Sequence, residues 1–130
     1  MDITVTVPGG AVVAAELAGH RLTTDQPAPY GTDTAPAPFD LFLASLATCA
    51  GYYAVRFCQQ REIATEGMRL ALSTERDAER KRLAKIAIVL DLPAGFPERY
   101  REAVIRAMDQ CAVKKAIADP PEFEVVARPA

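Results

Sequence analysis

The chain is predicted to adopt an α+β fold with antiparallel sheets, a long buried central helix and a second, amphipathic helix. Three observations predict it. Ile3 to Val7 alternates apolar residues with threonine and runs into a Pro8-Gly9-Gly10 turn, the pattern of a small strand meander. Leu41 to Val55 contains no charged residue, so a helix there is apolar on every side and is expected to be buried on every side. Two further strand-like runs follow one another directly, with no repeated strand-helix-strand series between them.

In chain order, residues 2 to 24 read as two or three strands. Asp25 to Pro38, DQPAPYGTDTAPAP, carries too much proline for a helix or a central strand and is a long loop of the kind that carries function. The central helix, Asp40 to Gln60, opens on Pro38 with Asp40 in its first turn, where a carboxylate suits the helix dipole. Gly67 to Glu75 and Arg82 to Asp91 form a hairpin around the charged DAERK, with Ala84, Ile86, Ile88 and Leu90 on one face. Pro97 starts the second helix, which runs to about Cys111 with Phe96, Tyr100, Val104, Met108 and Cys111 in one stripe. AVKKAIA is a short helical turn stopped by Pro120-Pro121, and Phe123 to Arg128 reads as a last strand.

The 130 residues make one ordinary domain, 1 to 130, with half its residues apolar and a net charge of -2. No basic run suggests a nucleic-acid partner. Asp2 stands where a signal peptide needs positive charge, and no apolar run reaches the ~20 residues of a membrane span, so a cytoplasmic location without membrane insertion is expected. Three cysteines do not look like a secreted disulfide framework, and with His20 the sole histidine and no C-x-x-C pair, neither metal nor cofactor is expected.

At about 100° per residue, Phe42, Ser45, Leu46, Tyr52, Tyr53, Arg56 and Gln60 share the face of Cys49. Ala44, Ala47, Gly51, Ala54 and Cys58 form the opposite, small-residue face, which suits close packing against the same helix of a second subunit. Cys58 lies half a turn from Cys49 and reads as a core thiol. Cys49 and Cys111 read either as core thiols, inert through burial, or as reactive thiols; Arg56, two turns along, could favour a Cys49 thiolate or simply mark the solvent end of the helix.

PAPFDLFLASLATCAGYYAVRF, with the preceding GHRLTTDQPAPYGTDTA, resembles the first-cysteine segment of the OsmC/Ohr family, the osmotically inducible and organic-hydroperoxide-resistance proteins, and is closest to its short OsmC-like branch. AMDQCAVKKAI resembles the second-cysteine segment, with Ala112 where a proline commonly follows the cysteine. The resemblance implies an OsmC-like intertwined homodimer with active sites at the subunit interface. It implies Cys49 as peroxidatic and Cys111 as resolving thiol, closing a disulfide after reducing an organic hydroperoxide, with an unidentified dithiol as reductant. In the family's best-studied members an arginine and a glutamate hold the thiolate. Here the glutamate position is Phe39, with Asp40 beside it, and the N-terminal region offers Arg21; Arg56, Arg21 and Asp40 are the candidate activating residues. Phe39, Phe42, Tyr53 and Met108 are the candidates for an apolar pocket with aromatic walls, which favours organic peroxides. The alternative is a non-enzymatic module that binds an apolar small molecule at the dimer interface.

Overall fold

A computed structural model describes residues 1–130. The elements are β1 (Ile3–Gly9), β2 (Val12–Leu17), β3 (His20–Thr24), α1 (Pro38–Gln60), β4 (Arg69–Asp77), β5 (Arg82–Asp91), a single 3-10 turn (Glu98–Tyr100), α2 (Arg101–Met108) and α3 (Ala112–Ala118). They fall into two compact units, Met1–Ala44 and Ser45–Ala130, divided within α1.

In the first unit, β1, β2 and β3 form an antiparallel meander in that order. Its registers pair Ile3 with Leu17, Val5 with Ala15 and Ala15 with Leu22, so one face of the sheet is apolar. That face is open: Ile3, Val5, Val13 and Leu22 are all exposed. On the other face Arg21 and Glu16 stand opposite one another and make an exposed ion pair at 2.7 Å.

The proline-rich loop is tied around one buried carboxylate. Asp25 is 1% exposed and accepts hydrogen bonds from the backbone N–H groups of Gln26 (2.7 Å), Thr32 (3.3 Å) and Thr34 (3.1 Å) and from the hydroxyls of Thr32 (2.9 Å) and Thr34 (2.7 Å). Its own N–H donates to the Pro36 carbonyl at 3.2 Å and closes the loop. These bonds, the Thr34 hydroxyl's first, hold the Asp25 carboxyl well below the usual carboxylate range. Gly31 is required here, since a Cβ would collide with the Asp25 carboxylate and the Gln26 carbonyl. Helix α1 then starts with the Leu41 N–H bonded to the Ala37 carbonyl, while the Asp40 carboxylate takes the Ala37 N–H at 3.3 Å, one half of a capping box.

In the second unit, β4 and β5 pair antiparallel, with Leu70 opposite Leu90, Leu72 opposite Ile88 and Thr74 opposite Ile86. Ala54, Phe57 and Cys58 of α1 and Val104 of α2 form the core, with Leu90, Leu92, Phe96, Tyr100 and Met108 packed around them. Arg61 closes α1 by donating to the Phe57 carbonyl at 3.2 Å while its guanidinium lies 3.7 Å from the Phe57 ring centre.

Several expectations need correction. The central helix is not buried on every side: Leu46, Ala50, Ala54, Phe57 and Cys58 are buried, whereas Tyr52 is 58% exposed. Ala54 and Cys58 are covered by the chain's own core, which leaves Ala47 and Gly51 as the half-open part of the small-residue face. The second helix stops at Met108 and not at Cys111, because a turn at Asp109-Gln110 interrupts it. Phe123 to Arg128 is not a strand; these residues are exposed, and no sheet edge of the chain pairs with them. Finally, α1 is long and apolar enough to cross a membrane, with a mean hydropathy of 1.4 over its most apolar window; its flanking charges interrupt the run without lowering the average enough, and the core helix of a soluble protein passes the same test. The chain exposes 10063 Å², against about 6700 Å² for a folded monomer of its mass.

Candidate active site

Cys49 sits at the middle of α1, half-buried. Cys111 is buried and stands at the N-cap of α3, its non-helical backbone (φ -47°, ψ 120°) turning the chain out of α2. Its sulfur accepts the Lys114 N–H at 3.5 Å, which satisfies one of the orphan donors of the α3 first turn. Two side-chain contacts brace the turn: Lys114 Nζ reaches Asp109 at 2.6 Å and Lys115 Nζ reaches Gln110 at 2.8 Å. The result is a corner that presents a thiol and two backbone N–H groups to the middle of α1.

At that corner the two cysteines meet. Burial pushes the Cys49 thiol up, but hydrogen bonds from the Cys111 thiol and from the Val113 and Ala112 N–H groups outweigh it, and Cys49 lies below its ordinary value. Cys111 moves the other way: burial, then its hydrogen bond to Cys49 and the nearby Cys49 charge, raise it, against the Lys114 and Val113 amides. The pair is thus polarised, with Cys49 the more acidic and Cys111 the less acidic of the two thiols. Cys58 is fully buried and is raised by desolvation, with Arg61 opposing, as suits a core thiol.

An apolar cavity of about 630 Å³ lies beside the corner, walled by Leu46, Ala50, Ile88, Val104, Met108 and Cys111 among others. Cys111 faces it; Cys49 is not part of its wall.

Of the residues singled out from sequence, the structure brings Cys49 and Cys111 together and puts Met108 in the cavity wall. Arg56 is exposed and is not among the groups acting on Cys49. In the first unit, Arg21 is engaged by Glu16, Asp40 caps α1, and Phe39 stacks at a tilt on Phe42 with ring centres 5.3 Å apart. Tyr53 makes an edge contact with Tyr52, also at 5.3 Å. The Ala112 and Val113 amides were not anticipated. Backbone donors leave no side-chain signature, although alanine in place of the proline that commonly follows this cysteine is a signal, because proline has no N–H to give.

A model of the OsmC-like protein family matches residues 31–126, and the chain belongs to that family. No curated protein sequence matches it. Solved structures share the fold. An OsmC-like protein from Mycoplasma pneumoniae superposes with a TM-score of 0.73 at 17% identity, covering 92% of this chain and 87% of that one. The organic hydroperoxide resistance protein OhrB of Bacillus subtilis gives 0.57 at 20% identity, with 92% and 90% covered. The organic hydroperoxide resistance protein OsmC from Legionella pneumophila gives 0.60 at 20%, with 89% and 87% covered. The fold class read from the sequence, α+β of OsmC type with antiparallel sheets, is therefore the one found.

Proposed function

We propose that this chain is a thiol-dependent peroxidase for organic hydroperoxides, with Cys49 as peroxidatic and Cys111 as resolving residue, working as a homodimer. The observation that carries the reading is the polarised hydrogen-bonded pair: a half-exposed thiol held low beside a buried thiol held high. Family membership and the fold shared with hydroperoxide resistance proteins support the same chemistry.

The Cys49 thiolate attacks the terminal peroxide oxygen, the O–O bond breaks, and the alkoxide leaves and takes a proton to become the alcohol. Cys49 is now a sulfenic acid beside the Cys111 sulfur. Once Cys111 gives up its proton, its thiolate attacks the Cys49 sulfur and expels hydroxide, which leaves as water, and the disulfide closes. The Ala112 and Val113 N–H groups act in the first step by stabilising the anionic sulfur, a role that side chains fill in the family's best-studied members. A dithiol then restores both thiols.

Addition of cumene hydroperoxide or a fatty-acid hydroperoxide is expected to consume two of the three free thiols per chain, and Cys49→Ser is expected to abolish the loss. If every peroxide tried leaves all three thiols titratable, the reading fails. A second reading, a non-enzymatic carrier of an apolar small molecule, is favoured by one observation, the 630 Å³ apolar cavity. Unreactive thiols together with a co-purified apolar ligand in native mass spectrometry would select it.

A further inference from the structure

The first turn of α3 is held by sulfur. Its backbone N–H groups, those of Ala112, Val113 and Lys114, have no acceptor within the helix, as at any helix start. The Lys114 N–H meets the Cys111 sulfur at 3.5 Å, and the Ala112 and Val113 N–H groups meet the Cys49 sulfur. Little else secures this helix. None of its seven residues is buried, and its largest apolar side chain, Ile117, is 51% exposed. Helices shorter than about 12–15 residues are marginal in water on their own, so α3 depends on its cap. The chain beyond it gives no support: residues 120 to 130 form neither helix nor strand, and Phe123 and Val125 stand exposed. The contacts of Lys114 with Asp109 and of Lys115 with Gln110 are exposed and weakened by solvent.

Oxidation changes both of the holding sulfurs at once. A hydrogen bond to a thiolate is charge-assisted and roughly twice as strong as a neutral one, whereas a disulfide sulfur carries no charge. Bond formation also draws the two sulfurs from hydrogen-bonding range to about 2.05 Å, so at least one of them shifts against the amides that it caps.

Resting on the peroxidase reading, we infer that α3 is a redox-released segment: formation of the Cys49–Cys111 disulfide uncaps its first turn, and residues 112–118 unwind together with the exposed chain that follows. In the step itself the hydroperoxide ROOH accepts two electrons and leaves as ROH and water, while the two thiols lose their protons and the S–S bond forms. The first-turn amides then turn to water. The Cys111 and Lys115 carbonyls lose the Lys115 and Asp119 N–H groups that they accept in the reduced chain. Lys114 and Ile117 line the 630 Å³ cavity, so its wall opens on this side in the oxidised chain. Reduction restores both sulfurs, and the helix re-forms. The state of a half-buried and a buried thiol is thereby displayed at the surface as the order or disorder of the C-terminal stretch.

The test is hydrogen–deuterium exchange, read by mass spectrometry, on the full chain reduced and oxidised at one pH. The disulfide is formed with cumene hydroperoxide and, in a parallel sample, with diamide, which takes up the same two electrons and two protons; peptide mapping confirms it. Peptides spanning residues 112–119 are expected to exchange about tenfold faster or more in the oxidised chain, while those around Phe57 and Cys58 in the core keep their rate. Exchange over 112–119 that is unchanged or slowed by the disulfide overturns the inference and leaves the peroxidase reading standing. A disulfide that forms with diamide and with no peroxide defeats the peroxidase reading, and exchange in the diamide sample still decides the inference. No disulfide with either oxidant defeats both. Cys49→Ser cannot close the bond, so peroxide is expected to leave its α3 exchange unaltered; a rise there would overturn the inference by showing that the loosening does not need the disulfide.

Discussion

At Ala112 one N–H separates two versions of the site. It is the first residue of α3, where proline is tolerated, and the ψ of 120° at Cys111 keeps that residue out of the α region that a following proline disfavours. Ala112→Pro therefore removes a donor to Cys49 without breaking the helix. A hydrogen bond to a charged group contributes roughly 1.5–3 kcal/mol, so losing it should raise the Cys49 thiol and slow its reaction wherever the thiol is mostly protonated. An acid held low is ionised, and reactive, down to its depressed pKa, so the variant loses reactivity at a higher pH than wild type. Alkylation of Cys49 with iodoacetamide should be about tenfold slower in the variant below both midpoints and equal well above the ordinary thiol pKa of ~8.5. Unchanged pH profiles would show that the amide does nothing for the thiol. Asp25 obeys the same rule as a stability term. Its pKa is depressed in the fold, so the stabilisation is fully present above the unfolded value of ~3.9 and is lost as pH falls through the folded value. Asp25→Asn is expected to lower the Tm at pH 7, with the gap to wild type narrowing as the pH drops below about 4; a gap independent of pH would assign the loss to packing alone.

Among the elements, α1 offers a test whose sign decides. A Cβ built on Gly51 meets nothing in the single chain, so if that face stays open Gly51→Ala should stabilise the helix by about 1 kcal/mol. If a second helix lies against it, the methyl group intrudes and the variant should lose about 1–3 kcal/mol. Destabilisation, read from denaturant midpoints, is the expected result. In the loop, Gly31→Ala should cost about 1–3 kcal/mol, because the colliding groups are the Asp25 carboxylate and backbone that cannot swing aside. The elements also show how far sequence carries. The meander, the bounds of α1 and the β4–β5 hairpin were legible because alternation, a charge-free run and turn residues are local signals. The end of α2 was not, since the apolar stripe runs on through Cys111 while the chain turns at Asp109 and Gln110. Likewise Phe123 to Arg128 has the alternation of a strand, but alternation supplies no edge to pair with. For the site, a helical wheel could set Cys49 on a face with Tyr53 and Arg56; which partner the thiol meets depends on where the α2–α3 corner falls in space.

For the whole molecule, the decisive quantity is surface. The chain exposes about 1.5 times the area expected of a folded monomer, and the excess includes the apolar sheet face of Ile3, Val5, Val13 and Leu22. Obligate homodimers commonly bury about 2000–5000 Å² or more in total, and the excess across two such chains is large enough to supply it. Size-exclusion chromatography with light scattering at micromolar concentration is expected to give the mass of two chains, and a mass of one chain would count against the dimer. The open sheet face has a consequence for how the protein comes to be folded. In the proposed homodimer each chain completes its apolar core only by meeting another, so the final folding step should be second order. Refolding should then quicken, and the thermal midpoint climb, as the solution becomes more concentrated; when dilute, the chain should linger with its sheet face bare.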